Sequence, residues 1–250
     1  MDIRLIFIIA HKYYRGYVSY INFYINNIKS LYPNSLIIIV DNNSPNKGDV
    51  FNSLKYDDII LLDNNIECKF EIGAYQVGIN YLLENNLIND YDYVIFSQDT
   101  YILKNKYDFN IFKNQNIHAA SFVGLKNDFE KWDVCSQVLR ELNLTDKLEY
   151  TTLCWCNSFI VSTEKIQILQ EYFKPIVIKV RYESEASERY LGRIILELNG
   201  GQDFSLQGDN NLFLVDGKTY NCLEVNPYWE MDNYFCKVAQ QKNQNTNEKY

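Results

Sequence analysis

Four short apolar runs divide the first hundred residues, and each ends in a polar cluster. They occupy residues 4–10, 36–40, 59–62 and 93–97. Each is too short for a stable helix and too uniformly apolar for a strand with one wet face. Such runs suit strands of a parallel sheet buried on both sides. Between the first and second, Tyr17, Tyr20, Ile21, Tyr24, Ile25, Ile28 and Leu31 recur at helical spacing, and Pro33-Asn34 ends the pattern. Ile72, Tyr75, Ile79, Leu82 and Leu83 mark a second helix before the fourth run. The series β-α-β-β-α-β needs right-handed crossovers and covered sheet faces. The expected fold class is α/β, an open, mostly parallel (mixed) twisted sheet with helices on both faces.

The second half is less regular. Strands are expected at residues 119–123, 157–161 and 220–225, and helices at 129–142 and 164–173. A further helix is expected from a cap at Ser184 to about Leu198, stopped by Gly200-Gly201. From Lys237 the chain is Gln, Asn, Lys and Thr with little apolar content. We therefore expect one domain over residues 1–236, with a nucleotide-binding half over 1–100 and an acceptor-side half over 101–236. Residues 237–250 are expected to form a flexible polar tail.

Composition narrows the function classes. With 250 residues and 47% hydrophobic content, the chain has ample core material. The net charge of −8 lacks the basic field that nucleic-acid binding needs. No run is long enough to span a membrane, and no signal peptide is evident. The six cysteines show no metal-site spacing and read as free thiols in a reducing, cytoplasmic setting. Tyr 21, Phe 14 and 30 asparagines stand against only 10 glycines and 4 prolines. Most aromatic residues must be core, although Trp155, Tyr228 and Trp229 suit a sugar-stacking platform.

Ligands of open α/β sheets bind beyond the carboxyl ends of the strands. Three such ends carry His11-Lys12, Asp41-Asn42-Asn43-Ser44 and Gln98-Asp99-Thr100. Neither G-x-G-x-x-G nor a P-loop motif is present, which removes the main support for dinucleotide and P-loop sites. Asp41 suits either the imide N–H of a nucleobase or an Asp-Asn-Asn-Ser-Pro turn. Asp99 suits either a divalent ion completed by phosphate and water, or a strand-end turn. Glu71 near a helix start suits the helix dipole alone. On the helix after Ser184, at 100° per residue, Glu188 falls at the edge of the stripe Tyr190, Leu191, Ile194, Ile195 and Leu198. Glu185 lies further round, where Arg189 at i,i+4 would pair with it. Glu188 is thus the better general base, with Glu183 and Glu185 as options. His118 reads as structural. No G-x-S-x-G elbow supports a serine hydrolase.

These pieces, in this order, resemble the GT-A class of nucleotide-sugar glycosyltransferases, family 2 and its relatives. The residues that carry the likeness are 7–11, 37–44, 70–80 and 92–100. The resemblance covers about residues 3–200. It implies that Asp41 contacts the base of the donor nucleotide, with uracil the expected base, and Asn43 falls at a neighbouring pocket position. It implies that Gly73, Ala74 and Asn80 line the nucleotide and donor-sugar pocket, while His11, at the end of the first strand, suits contact with a phosphate or sugar. Gln98-Asp99-Thr100 stands where the family's Asp-x-Asp motif binds Mn²⁺ or Mg²⁺ and the diphosphate, with Gln98 replacing the first carboxylate. Asn157-Ser158-Phe159 resembles the acceptor-lining segment. Glu188 and Glu185 fall near the family's catalytic carboxylate, without its Glu-Asp pair.

The implied reaction moves a sugar from a UDP-sugar to a hydroxyl of a glycan or glycoprotein, inverting by direct displacement. A retaining course follows if no base lies beneath the anomeric carbon. Expected partners are the donor, the acceptor and, as an option, a second copy of the chain. The rival from another class is a binding module of the same fold without chemistry. A nucleotidyltransferase is the third reading. The composition also resembles that of proteins from large AT-rich DNA viruses, with an AT-rich bacterium as the other origin.

Overall fold

The computed structural model describes residues 3–13, 19–103, 105–122, 124–126, 131–146, 152–201 and 235–237. At its centre is β1 (Leu5–His11), whose seven residues are all buried. On one side β1 pairs in parallel with β2 (Leu36–Asp41), which pairs in parallel with β3 (Ile59–Asp63). On the other side it pairs in parallel with β4 (Tyr93–Gln98). The six-stranded sheet ends with β6 (Ala119–Ser121) and β9 (Phe159–Ser162), in the order β3-β2-β1-β4-β9-β6. Strand β9 runs antiparallel to both β4 and β6. The mixed, mostly parallel α/β sheet is therefore as expected.

Alternation along β1 assigns its two faces. Leu5, Phe7 and Ile9 pack with Ile21, Tyr24, Ile25 and Ile28 of α1 (Ile21–Leu31). Ile6, Ile8 and Ala10 pack with Ile72, Tyr75, Ile79 and Leu82 of α3 (Phe70–Glu84). Each fully buried isoleucine here contributes roughly 1.5–3 kcal/mol. Helix α3 lies very close to the sheet, because a Cβ on Gly78 would sit 2.7 Å from Ile8 Cγ2. The aromatic excess goes into this core. Phe96 and Phe159 stack at 4.5 Å between ring centroids, with Tyr75 edge-on to both.

The crossovers thus lie on opposite faces. The β1-to-β2 connection uses α1, and the β3-to-β4 connection uses α3. The topological switch point falls between the carboxyl ends of β1 and β4.

Several elements depart from the sequence pattern. A short α2 (Lys47–Phe51) precedes β3. Strand β5 (Tyr101–Leu103), α4 (Asn110–Asn114) and β7 (Gly124–Lys126) are likewise too short to show periodicity. Helix α5 (Trp132–Glu141) occupies the region expected at 129–142. Strand β8 (Thr152–Cys154) pairs with β7 and leads into a 3-10 turn, Trp155–Asn157. Helix α6 (Ile166–Phe173) follows β9. Helix α7 (Arg181–Leu198) starts before Ser184, so Ser184 is inside the helix and not its cap. Gly200 and Gly201, at φ 66° and 83°, end the segment as expected. Strand β10 (Phe235–Lys237) pairs antiparallel with β5. The strand expected at 220–225, the aromatic residues Tyr228 and Trp229, and the tail beyond Lys237 lie outside the described residues.

Candidate functional site

The switch point holds a chain of polar contacts. His11 Nδ1 lies 2.6 Å from Asp99 Oδ2, across the ends of β1 and β4. The same oxygen accepts the Lys12 backbone N–H at 3.1 Å, and the Asp99 N–H donates back to the Ala10 carbonyl. His11 is fully buried, and its Nε2 has no hydrogen-bond partner among the described residues. His11 and Asp99 thus lie side by side at the strand ends.

On the α3 face the next contact begins. Gln98 Nε2 donates to Glu71 Oε1 at 2.7 Å, and Ser184 Oγ donates to Glu71 Oε2 at 3.0 Å. Glu71 therefore joins the end of β4 to the first turns of α7. Its placement follows from topology. Helix α3 runs antiparallel to the strands it connects, so its first turn lies at their carboxyl ends. The dipole alone does not account for Glu71.

Glu188 follows Ser184 by one helical turn and shares its face. It is half-buried, and its Oε1 accepts the Cys156 N–H at 2.9 Å. Cys156 and Asn157 both have positive φ, 56° and 49°, and this kink aims the amide at the carboxylate. Glu188 also raises the Cys154 thiol, secondary to burial. Asn157 is buried, with its Oδ1 2.9 Å from Ser187 Oγ and its Nδ2 3.4 Å from the Ser184 carbonyl. The 155–157 turn and the cleft side of α7 are thus one structure.

Glu185 is placed elsewhere. It sits between Lys131 at 2.7 Å and Arg181 at 2.8 Å, both of which hold its carboxyl below the usual range. Its expected partner Arg189 instead donates from Nη1 to the Glu185 carbonyl. A carboxylate clamped by two cations is a poor base, which removes Glu185 from the candidates. Glu183 reaches back to the Lys179 and Val180 amides at 2.7 and 3.2 Å and closes the start of α7. It is a helix cap and not a base.

Three residues expected in the pocket serve packing. A Cβ on Gly73 would lie 2.1 Å from the Cys68 carbonyl oxygen, so this glycine lets α3 close on its own lead-in loop. Ala74 is fully buried in the core. Asn80 accepts Gln170 Nε2 at 2.6 Å and ties α3 to α6. It lies nine residues beyond Glu71, which is about 13 Å along the helix axis and away from the strand ends. His118 lies 2.6 Å from Glu164, away from the strand ends.

Asp41 ends β2, in register with His11 at the end of β1. It is fully buried, and Ser44 donates to both its oxygens, from N at 2.7 Å and from Oγ at 2.5 Å. This is the turn arrangement of Asp-Asn-Asn-Ser-Pro. Asn43, at φ 57°, is exposed and donates to the Asn64 carbonyl. Asn64 is buried, and its amide bridges Asn42 Oδ1 at 2.7 Å and the Cys68 carbonyl at 3.0 Å. That bridge ties together the loops after β2 and β3, and a lone Asn in a polar loop gives no local signal of it.

A divalent metal is not well served here. Mg²⁺ and Mn²⁺ want several oxygen ligands with free lone pairs. Asp99 has Oδ2 committed to His11 and Lys12, and Gln98 has its amide committed to Glu71. No cluster of three His, Cys, Asp or Glu residues that could hold a metal occurs among the described residues. The residues present do not fit the expected metal site.

No protein-family model matches the sequence, and no curated protein matches it. Solved structures share its outline at low similarity. Core-mannan synthase A from Aspergillus fumigatus, in its Mn/GDP form, is 10% identical with a TM-score of 0.40, over 78% of this chain and 69% of that one. A 4-diphosphocytidyl-2C-methyl-D-erythritol synthase from Anaerococcus prevotii is 12% identical with a TM-score of 0.43, over 80% of this chain and 95% of that one. The bifunctional IspDF of Campylobacter jejuni is 12% identical with a TM-score of 0.38, over 75% of this chain and 47% of that one. No helix among the described residues is long and apolar enough to cross a membrane.

Proposed function

We propose that the chain is a nucleotide-sugar-dependent glycosyltransferase of the GT-A class, moving a sugar from a UDP-sugar to a hydroxyl of a glycan or glycoprotein. The observation that carries this reading is the polar chain at the β1/β4 switch point. It runs from His11 and Asp99 through Gln98 and Glu71 to Ser184 on α7. In this reading residues 1–100 hold the nucleotide, and residues 101–236 present the acceptor.

Glu188 is the proposed base. It takes the proton of the acceptor hydroxyl as that oxygen attacks the anomeric carbon and the nucleoside diphosphate departs. The Cys156 N–H holds Oε1 in place, and Oε2 lies 3.9 Å from Arg189 Nη1. No step is assigned to a metal.

The second reading is a binding module. Its support is that Gln98, Glu71 and Asp99 are all engaged with one another or with the backbone. A panel of UDP-sugars and GDP-sugars, with glycan acceptors, separates the two. Sugar transfer or donor hydrolysis supports the enzyme. Saturable nucleotide binding without any turnover supports the module.

A further inference from the structure

Helix α7 is fastened on two sides in the turn that precedes Glu188. On the side of the 155–157 turn, the Ser184 carbonyl lies 2.6 Å from Ser187 Oγ and 3.4 Å from Asn157 Nδ2. Ser187 Oγ also lies 2.9 Å from Asn157 Oδ1, and all three residues are buried. On the side of β4 and α3, Ser184 Oγ donates to Glu71 Oε2 at 3.0 Å. The other oxygen of Glu71 accepts Gln98 Nε2, at the end of β4, at 2.7 Å. The two fastenings fix different things. The first holds α7 to the turn whose Cys156 N–H orients Glu188. The second sets α7 against the strand ends. Apolar packing supports both but directs neither. Tyr190, Leu191, Ile194 and Leu198 of α7 share one core with Ile72 of α3, and such packing is non-directional. The helix therefore stays docked without Glu71, but loses its polar tie to the end of β4.

We infer that Glu71 is a positioning residue: through Ser184 it sets Glu188 at its distance from a donor held at the β1/β4 switch point. The inference rests on the transferase reading with Glu188 as base. A misplacement of about 1 Å can cost on the order of 100-fold in rate, so Glu71 acts on turnover and not on nucleotide affinity. Both donors to Glu71 are neutral, so the bridge needs its acceptors more than its charge. Glu71→Gln keeps one acceptor and gains a donor, which Gln98 meets by turning its amide.

Turnover of the nucleotide-sugar that reacts, with calorimetric titration of its nucleoside diphosphate into the full chain, tests this. Glu71→Ala is expected to lower kcat about tenfold or more while Kd stays within about threefold of wild type. Glu71→Gln is expected to recover kcat to within about threefold of wild type. In a Glu188→Gln background, Glu71→Ala should cost less than about threefold more, because the two residues act as a unit. If Glu71→Ala does not melt natively, Ser184→Ala cuts the same bridge and replaces it. A Kd raised about tenfold makes Glu71 a nucleotide contact and overturns the inference, leaving the transferase reading standing. Unchanged kcat, or full additivity with Glu188→Gln, also overturns it. No turnover of any donor by the wild type overturns both.

Discussion

At the scale of single residues, Glu188 and Gly73 illustrate two kinds of constraint. Glu188→Gln keeps an oxygen to accept the Cys156 N–H, so the fold should survive. Turnover should fall by about 100-fold or more, the usual share of a general base, with nucleotide Kd unchanged. Unchanged turnover would remove Glu188 from the mechanism. Glu185→Ala should leave turnover intact and cost less than about 1 kcal/mol, because its ion pairs are at the surface. Gly73→Ala forces a Cβ to 2.1 Å from a carbonyl oxygen and must move backbone. Urea unfolding should show a loss of about 2 kcal/mol. His11, Asp99 and Glu188 were legible as site candidates because strand ends and helix faces follow from local pattern. Glu71 and Ser184 were not, because their partners are distant in sequence. Gly73 and Ala74 misled for the same reason: small residues serve close packing as readily as ligand approach.

At the scale of elements, strands and helices of five residues or more with uniform burial were mostly legible. The three-residue strands β5, β7, β8 and β10 carry no period to read. The start of α7 was misplaced because a serine at position 184 looks like a cap. The real closure is made by Glu183, reaching back to the amides of Lys179 and Val180. Glu183→Ala should cost about 1 kcal/mol and speed hydrogen exchange in the first turn of α7. Unchanged exchange there would contradict the capping role. The asparagine excess also finds a partial cause at this scale. Among the described residues, Asn43, Asn86, Asn116, Asn143 and Asn157 occupy left-handed backbone positions. Asn tolerates that region better than other non-glycine residues, and the chain has only 10 glycines. Turn geometry therefore uses part of the surplus.

At the scale of the whole molecule, the aromatic and thiol content sets an alkaline limit. Burial pushes the Cys135 thiol up to about 12 from an ordinary 9.0 and raises Tyr75, Tyr101, Tyr190 and Cys154 as well. Their folded forms keep protons that the unfolded chain releases. The stabilisation is complete below about pH 9 and is lost as pH rises through the folded values. The melting temperature should therefore fall steadily above about pH 9. A flat profile to pH 11 would contradict the burial of these groups.

The open, mostly parallel sheet was legible because four buried runs and two helical stripes leave little topological choice. The metal site was not, since Asp99 sits at the expected position yet binds His11 and the Lys12 backbone. The central claim is a nucleotide site at the β1/β4 switch point. Hydrogen exchange of the full chain with and without UDP and GDP tests it directly. The account predicts protection confined mainly to residues 10–12, 41–44, 66–72 and 97–100. Protection elsewhere, or none at saturating nucleotide, would contradict it.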